Sequence, residues 1–143
     1  MDNYKIEPFQ SAHADEIILM GEFENYSKDY PTDALETQDA WTGFYNDQPI
    51  VCGGINPIWE GVADVWIIMK KGSNKHKFFM LKKIKEKFEE TITKRNYNRV
   101  QAVVRSDFTD GLRFAKWFDM TPEGVMKKYG PDGNDYIMVA RIK

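Results

Sequence analysis

The chain has 143 residues, 42% hydrophobic and 29% charged, with a net charge of -2. That length suits one domain, expected to span residues 1–143, and the balance of residues excludes a disordered chain and any general affinity for nucleic acid. No apolar run approaches a membrane span, the first residues carry no leader pattern and the lone Cys52 fits a reducing compartment, so a cytoplasmic protein with no membrane partner is expected.

Tyr4–Glu7 alternates and predicts a first strand. Ser11 is placed to cap a helix whose Ala14, Ile17 and Ile18 share a face, and His13 reads as a capping or surface residue. Glu22–Gln38, polar and broken by Pro31, predicts a loop or short helix. Trp41–Tyr45 and Pro49–Ile55 predict two strands joined by a tight turn at Asn46–Asp47–Gln48. Gly53–Gly54 inside the second of these predicts a bulge or a close backbone approach. Asn56–Gly61 then turns the chain into a strand at Ala63–Met69.

A long helix is predicted over Asn74–Lys94, with Phe78, Leu81, Ile84, Phe88 and Ile92 on its buried face. Asn98–Val104 predicts a strand and Gly111–Phe118 a short amphipathic helix. Gly124–Tyr129 and Asp135–Arg141 close the chain as a hairpin around Gly130–Pro131–Asp132–Gly133. Strands and helices in this order predict an α/β (α+β) fold: a mixed, mostly antiparallel sheet of about seven strands covered by helices on both faces. The link from Val65 through the long helix to Val100 should be a right-handed crossover between parallel neighbours.

Chemistry concentrates where the Ala63–Met69 strand meets the long helix. A strand that ends where a helix begins aims helix N–H groups at one spot, and Lys70, Lys71, Lys75 and Lys77 add cations there. The pattern suits a phosphate or pyrophosphate, whereas Lys82, Lys83, Lys85 and Lys87 read as a solvated outer face. His76, at the helix start, reads as a phosphate contact or a plain surface histidine. Cys52 reads as a small core residue. His13 and His76 lie far apart with one cysteine between them, so no metal site is expected. Trp59, in an apolar loop, is placed to line an acceptor pocket or a protein interface.

The element order resembles the GNAT family of N-acetyltransferases over essentially the whole chain. Arg113–Phe114 on the short helix, Met120–Thr121–Pro122–Glu123–Gly124, and Tyr129–Gly130–Pro131–Asp132–Gly133–Asn134–Asp135–Tyr136 look like the family's ending, and Trp41–Ile55 looks like its second and third strands. Asp64–Val65–Trp66 followed by the late Arg–Phe helix is similar to small acetyltransferase-like proteins of tailed bacteriophages, some of which serve in virion assembly. The resemblance implies acetyl-CoA as cosubstrate and an amine as acceptor. The family's pyrophosphate loop, Gln/Arg-x-x-Gly-x-Gly/Ala, is matched only by position. One register sets Lys71, Asn74 and His76 at its marked positions and another sets Ser73, His76 and Phe78 there. Neither register supplies the small residues that let backbone N–H groups approach a pyrophosphate.

The resemblance further implies that the Ile68–Met69 end of the strand offers N–H groups to a thioester carbonyl, and that Lys71, Ser73, Asn74, Lys75, His76 and Lys77 surround the pyrophosphate. Asp64 or Glu60 is the candidate base. The family's usual acid tyrosine aligns with Ala115, so the acid falls to Tyr129, Tyr136 or solvent. Phe23, Tyr26 and Tyr30 sit where acceptor-side helices lie in the family. Two readings follow. One is an acetyl-CoA-dependent N-acetyltransferase acting on a small amine or a protein lysine. The other is a non-catalytic domain of the same fold that binds a protein partner or a second copy of itself.

Overall fold

A computed structural model describes residues 2–19, 32–37, 39–71, 74–131 and 133–143. The elements run β1 (Tyr4–Pro8), α1 (Ser11–Leu19), a 3-10 turn (Thr32–Leu35), β2 (Ala40–Tyr45), β3 (Gln48–Trp59), β4 (Val62–Met69), α2 (Lys75–Arg95), β5 (Arg99–Arg105), α3 (Thr109–Trp117), β6 (Thr121–Met126) and β7 (Tyr136–Ile142). The seven strands order as β1-β2-β3-β4-β5-β7-β6. β4 and β5 pair in parallel, as the crossover through α2 requires, whereas β1 with β2, β2 with β3, β5 with β7 and β6 with β7 are antiparallel. The chain divides into two compact units, Met1–Asn56 with Trp66–Lys94 and Pro57–Val65 with Arg95–Lys143.

In the first unit the turn between β2 and β3 takes its shape from Asn46 and Asp47, whose φ angles of 47° and 66° suit the twist of a two-residue hairpin. In the pairing of β2 with β3 the register shifts between Gly43 and Phe44, while Gly53 and Gly54 stay in step with Trp41 and Ala40. Gly53 and Gly54 serve the other expectation, close approach. A Cβ on Gly53 would meet Phe88 Cζ at 2.9 Å, and one on Gly54 would meet Trp66 Nε1 at 2.6 Å. Pleating sends alternate residues of β2 to opposite faces. On one face Thr42 and Phe44 meet His13 of α1. On the other, Gly43 lies under Met80, and Trp41 approaches Phe88, both residues of α2.

The buried stripe of α2 is Lys77, Met80, Leu81, Ile84, Phe88 and Thr91. This corrects the expected face at both ends: Phe78 is 61% exposed and Ile92 only half-buried. The stripe 77, 80, 81, 84, 88, 91 keeps the helical repeat, and Phe78 falls one residue, about 100°, away from Lys77. β3 also runs further than expected, through Asn56 to Trp59, so only Glu60 and Gly61 are left to turn the chain. Gly61 makes that turn at a φ of 83°.

In the second unit α3 packs on β5, with Gly111 beneath Phe108 and Val104. Phe118, fully buried, lies under the Arg141 guanidinium of β7 at 4.9 Å. β6 begins at Thr121 and ends at Met126, three residues before the expected Gly124–Tyr129. The helix ends at Trp117, Asp119 takes a φ of 62°, and the chain enters β6 at Thr121.

The close approaches give a direct prediction. Gly54→Ala should lower stability by about 1–3 kcal/mol, as overpacking does, because its Cβ has no room under the Trp66 ring. Gly124→Ala, which meets nothing within 4 Å, should cost under about 1 kcal/mol. Urea midpoints of the two variants decide this; equal midpoints would contradict it.

Candidate functional site

The first unit carries the start of α2. Asn74 caps it: its Oδ1 accepts the Lys77 backbone N–H at 2.9 Å and its carbonyl accepts the Phe78 N–H at 3.1 Å. No acidic residue occupies the first turn, although aspartate and glutamate are the residues that the helix dipole favours there. Lys75, His76 and Lys77 stand in that turn instead, with Lys70 and Lys71 just before it. The field of the peptide dipoles and the side-chain charge have the same sign, so the place attracts an anion.

The cations are not equivalent. Lys71 and Lys75 are exposed. Lys77 is only 5% exposed, and its Nζ donates to the Lys70 carbonyl at 3.1 Å. Lys70 in turn donates its backbone N–H to the Ile50 carbonyl at 2.8 Å. Lys77 thus closes the corner between the end of β4 and the first turn of α2. His76 is drawn into an aromatic cluster: its ring stacks on Tyr45 at 3.7 Å, and its Nδ1 meets the Tyr4 hydroxyl. The Tyr45 hydroxyl donates to Asp2, which holds that phenol above its usual range. Ile68 and Met69, at the end of β4, are fully buried. Ser73, together with Phe23, Tyr26 and Tyr30, lies outside the described residues.

The second unit carries the other candidates. Asp64 is exposed between the buried Ala63 and Val65, and its Oδ1 accepts from the Gln101 amide at 3.1 Å. Gln101 is held from behind, because Arg99 Nε donates to its Oε1 at 2.8 Å. Arg99 makes a two-pronged pair with Glu123 at 2.9 and 2.6 Å, which holds the Glu123 carboxyl below the usual carboxylate range. A polar line therefore runs Asp64–Gln101–Arg99–Glu123. Glu60 is exposed in the turn before β4. Tyr129 is 53% exposed and packs edge-on against Tyr136 at 5.4 Å. Ala115 is buried.

Sequence reasoning missed Gln101 and Arg99, although strand periodicity puts both opposite to Val100 and Ala102 and so marks a polar face. It also missed Tyr4 and Tyr45 as partners of His76; no local pattern announces a contact across 72 residues. Cys52 is fully buried and its thiol is pushed up to about 12 by burial, which removes it as a nucleophile. Among the described residues no helix is long and apolar enough to cross a membrane, and no group of three or more His, Cys, Asp and Glu side chains is placed to hold a metal ion.

Asn74→Ala should lower stability by about 1 kcal/mol through loss of the cap, while Asn74→Asp retains it. Thermal melting of both variants tests this, and an Ala variant as stable as the parent would remove Asn74 from the role.

No family model matches the chain, and no curated protein matches it in sequence. Solved structures match it in three dimensions. A GNAT-family acetyltransferase from Streptococcus pneumoniae superposes with a TM-score of 0.73 at 12% identity, covering 98% of this chain and 99% of that one. Ard1 from Thermoplasma volcanium gives 0.76 at 14% identity, with 97% of each chain covered. The yncA protein of Salmonella typhimurium, solved with its cofactor acetyl-CoA, gives 0.68 at 9% identity over 97% of this chain and 93% of that one. The chain is thus built on the fold of the GNAT acetyltransferases, from end to end of the proteins it matches.

Proposed function

We propose that the protein is an acetyl-CoA-dependent N-acetyltransferase that acts on a primary amine of a small molecule or a protein lysine. The observation that carries this reading is the end-to-end likeness to acetyltransferase structures, joined by a helix start that holds cations and no acid in its first turn. Fold alone does not fix a reaction, so the residues must fit it. They fit a pyrophosphate by charge. Lys71 and Lys75 are exposed cations, with His76 as a further polar neighbour and Ser73 next to them in sequence, and Asn74 and Lys77 hold the corner in shape.

Acetyl-CoA supplies an acetyl group activated as a thioester. In this reading the main chain of Ile68 and Met69 orients its carbonyl. Asp64 or Glu60 takes the amine proton through water, and the Tyr129 hydroxyl returns a proton to the departing sulfur. The Gln101 amide, donating to Asp64 Oδ1, holds that carboxylate in place. A covalent route through Cys52 is excluded by its burial and its raised thiol.

A second reading is favoured by one observation, the 69% exposure of the Trp59 side chain at the end of β3. It makes the protein a non-catalytic acetyltransferase-like domain, of the phage type, that binds a protein partner or a second copy of itself.

Replacing both Lys71 and Lys75 by Glu should weaken acetyl-CoA binding by at least about a hundredfold, since each exchange turns attraction into repulsion. Isothermal titration of parent and double variant measures this. Equal affinities would remove the two lysines from the site. Absence of binding to the parent at millimolar coenzyme, roughly the weakest affinity of use to an enzyme, would leave the second reading, which sedimentation of a Trp59→Ser variant then tests.

A further inference from the structure

Every helix begins with backbone N–H groups that have no partner within the helix. At the start of α1, two consecutive ones are held by titratable side chains. The Gln10 N–H donates to His13 Nδ1 at 3.2 Å, and the Ser11 N–H donates to Glu36 Oε1 at 2.6 Å. The cap therefore sits one residue before the expected Ser11, with His13 reaching back to it from the third helical position. This is the geometry that glutamate or glutamine adopts in a capping box.

A backbone N–H can only donate, so His13 Nδ1 presents its lone pair and the ring proton sits on Nε2. Nδ1 also lies 2.7 Å from Thr42 Oγ1, on β2. Thr42 is fully buried, and its hydroxyl has a second neighbour, Cys52 Sγ of β3, at 3.5 Å. The one hydroxyl proton thus has two acceptors, a near imidazole and a farther sulfur. If Nδ1 gains a proton, Thr42 adapts by accepting that proton and turning its own toward Cys52. Gln10 has no such freedom, because its N–H then faces another N–H. The new charge also stands at the positive end of the helix dipole.

We infer that the start of α1 is a pH-sensitive clasp, in which neutral His13 and ionised Glu36 hold the helix to β2 and to the 3-10 turn, and proton uptake by His13 opens it. The groups facing His13 pull in both directions. Glu7 of β1, Glu16 of α1 and Glu36 beside the 3-10 turn favour the charged ring. Burial between Phe9 and Phe44, with their edges to the ring, opposes it and prevails, so the histidine lies below its ordinary 6.5. A depressed histidine stabilises the fold in its neutral form. Its contribution is complete above 6.5 and is lost as pH falls through the lower folded value. Glu36, held below its ordinary 4.5 by the Ser11 hydrogen bonds, lets go only at more acid pH. The clasp therefore opens in two steps, histidine first.

Hydrogen exchange of the intact protein tests the inference. Protection of the amides of α1, corrected for the intrinsic pH dependence of exchange, should fall about fivefold from about pH 7.5 to about pH 5.5, the worth of one hydrogen bond. His13→Gln offers an acceptor that does not titrate, so its protection should stay level across that range. Unchanged protection in the parent, or the same fall in the variant, would overturn the clasp. Nitrogen NMR of the parent gives a reading independent of any variant, because the chain has only two histidines. The Nε2–H tautomer of His13 at neutral pH, titrating together with the loss of protection, supports the inference; an Nδ1–H tautomer there refutes it.

Discussion

The position of α2 is set by what β2 and β3 leave out. A Cβ on Gly43 would stand 2.7 Å from Met80 Cε, and one on Gly53 would stand 2.9 Å from Phe88 Cζ. The missing side chains beneath the helix leave room for Met80 and Phe88. Interiors are packed so closely that a methyl group at Gly53 would press on Phe88 and Ile84, and one at Gly43 would displace the end of Met80. With α2 held at that distance, its first turn comes within reach of the end of β4. Lys77 then bonds to the Lys70 carbonyl, and Lys70 to the Ile50 carbonyl of β3. Strand, loop and helix close into one corner, and the apolar stripe along α2 ends in a lysine.

That lysine has an electrostatic consequence. An ammonium taken from water and set at the positive end of a helix is costly unless something compensates it. The Lys70 carbonyl supplies part of that compensation. The first turn itself stays basic, because Lys75, His76 and Lys77 stand in it and no acidic residue does. Lys71 and Lys75 therefore stand beside a positive field that no acidic residue of the first turn cancels. A corner built in this way attracts an anion by charge where glycines would have served by shape. His76, stacked on Tyr45 and bonded to Tyr4, anchors the first turn from its other flank.

Legibility in the sequence followed the range of the forces involved. The succession of strands and helices and the parallel crossover could be read because they rest on periodicity and on chain geometry, which are local. The turn at Asn46–Asp47 could be read because positive φ angles select few residues. The ends of elements were harder. Phe78 looked like core since spacing cannot tell which of two adjacent stripes faces the sheet; the decision came from the glycines opposite Met80 and Phe88. β6 was misplaced because Tyr129 and Val125 resemble strand residues, while the helix end at Trp117 forces the strand to start early. In the candidate site, the basic helix start was legible, yet the division of its lysines into one brace and two exposed cations was not. That division depends on a carbonyl seven residues away across a corner. The line Asp64–Gln101–Arg99–Glu123 crosses strands far apart in sequence, and only the register of β4 with β5 discloses its beginning.

The titratable groups sort themselves by surroundings, and the sorting bears on which of them is available for chemistry. Cys52 is closed off by burial. His13 spends its lone pair on Gln10 and Thr42, so as a proton acceptor it would have to undo the start of its own helix. His76 holds the Tyr4 hydroxyl at the same kind of nitrogen. Glu123 is committed to Arg99 and Glu36 to Ser11. Asp64 retains an exposed carboxylate with one amide tether, and Glu60 stays exposed beside Gly61. In the proposed reaction, proton transfer would therefore fall to exposed carboxylates, which would work through water and give up the strength of a buried base for freedom from structural duty. An acyl transfer as proposed would draw its rate from holding the two substrates together more than from the basicity of any one residue, and that demand would fall back on the corner that α2 makes with β4.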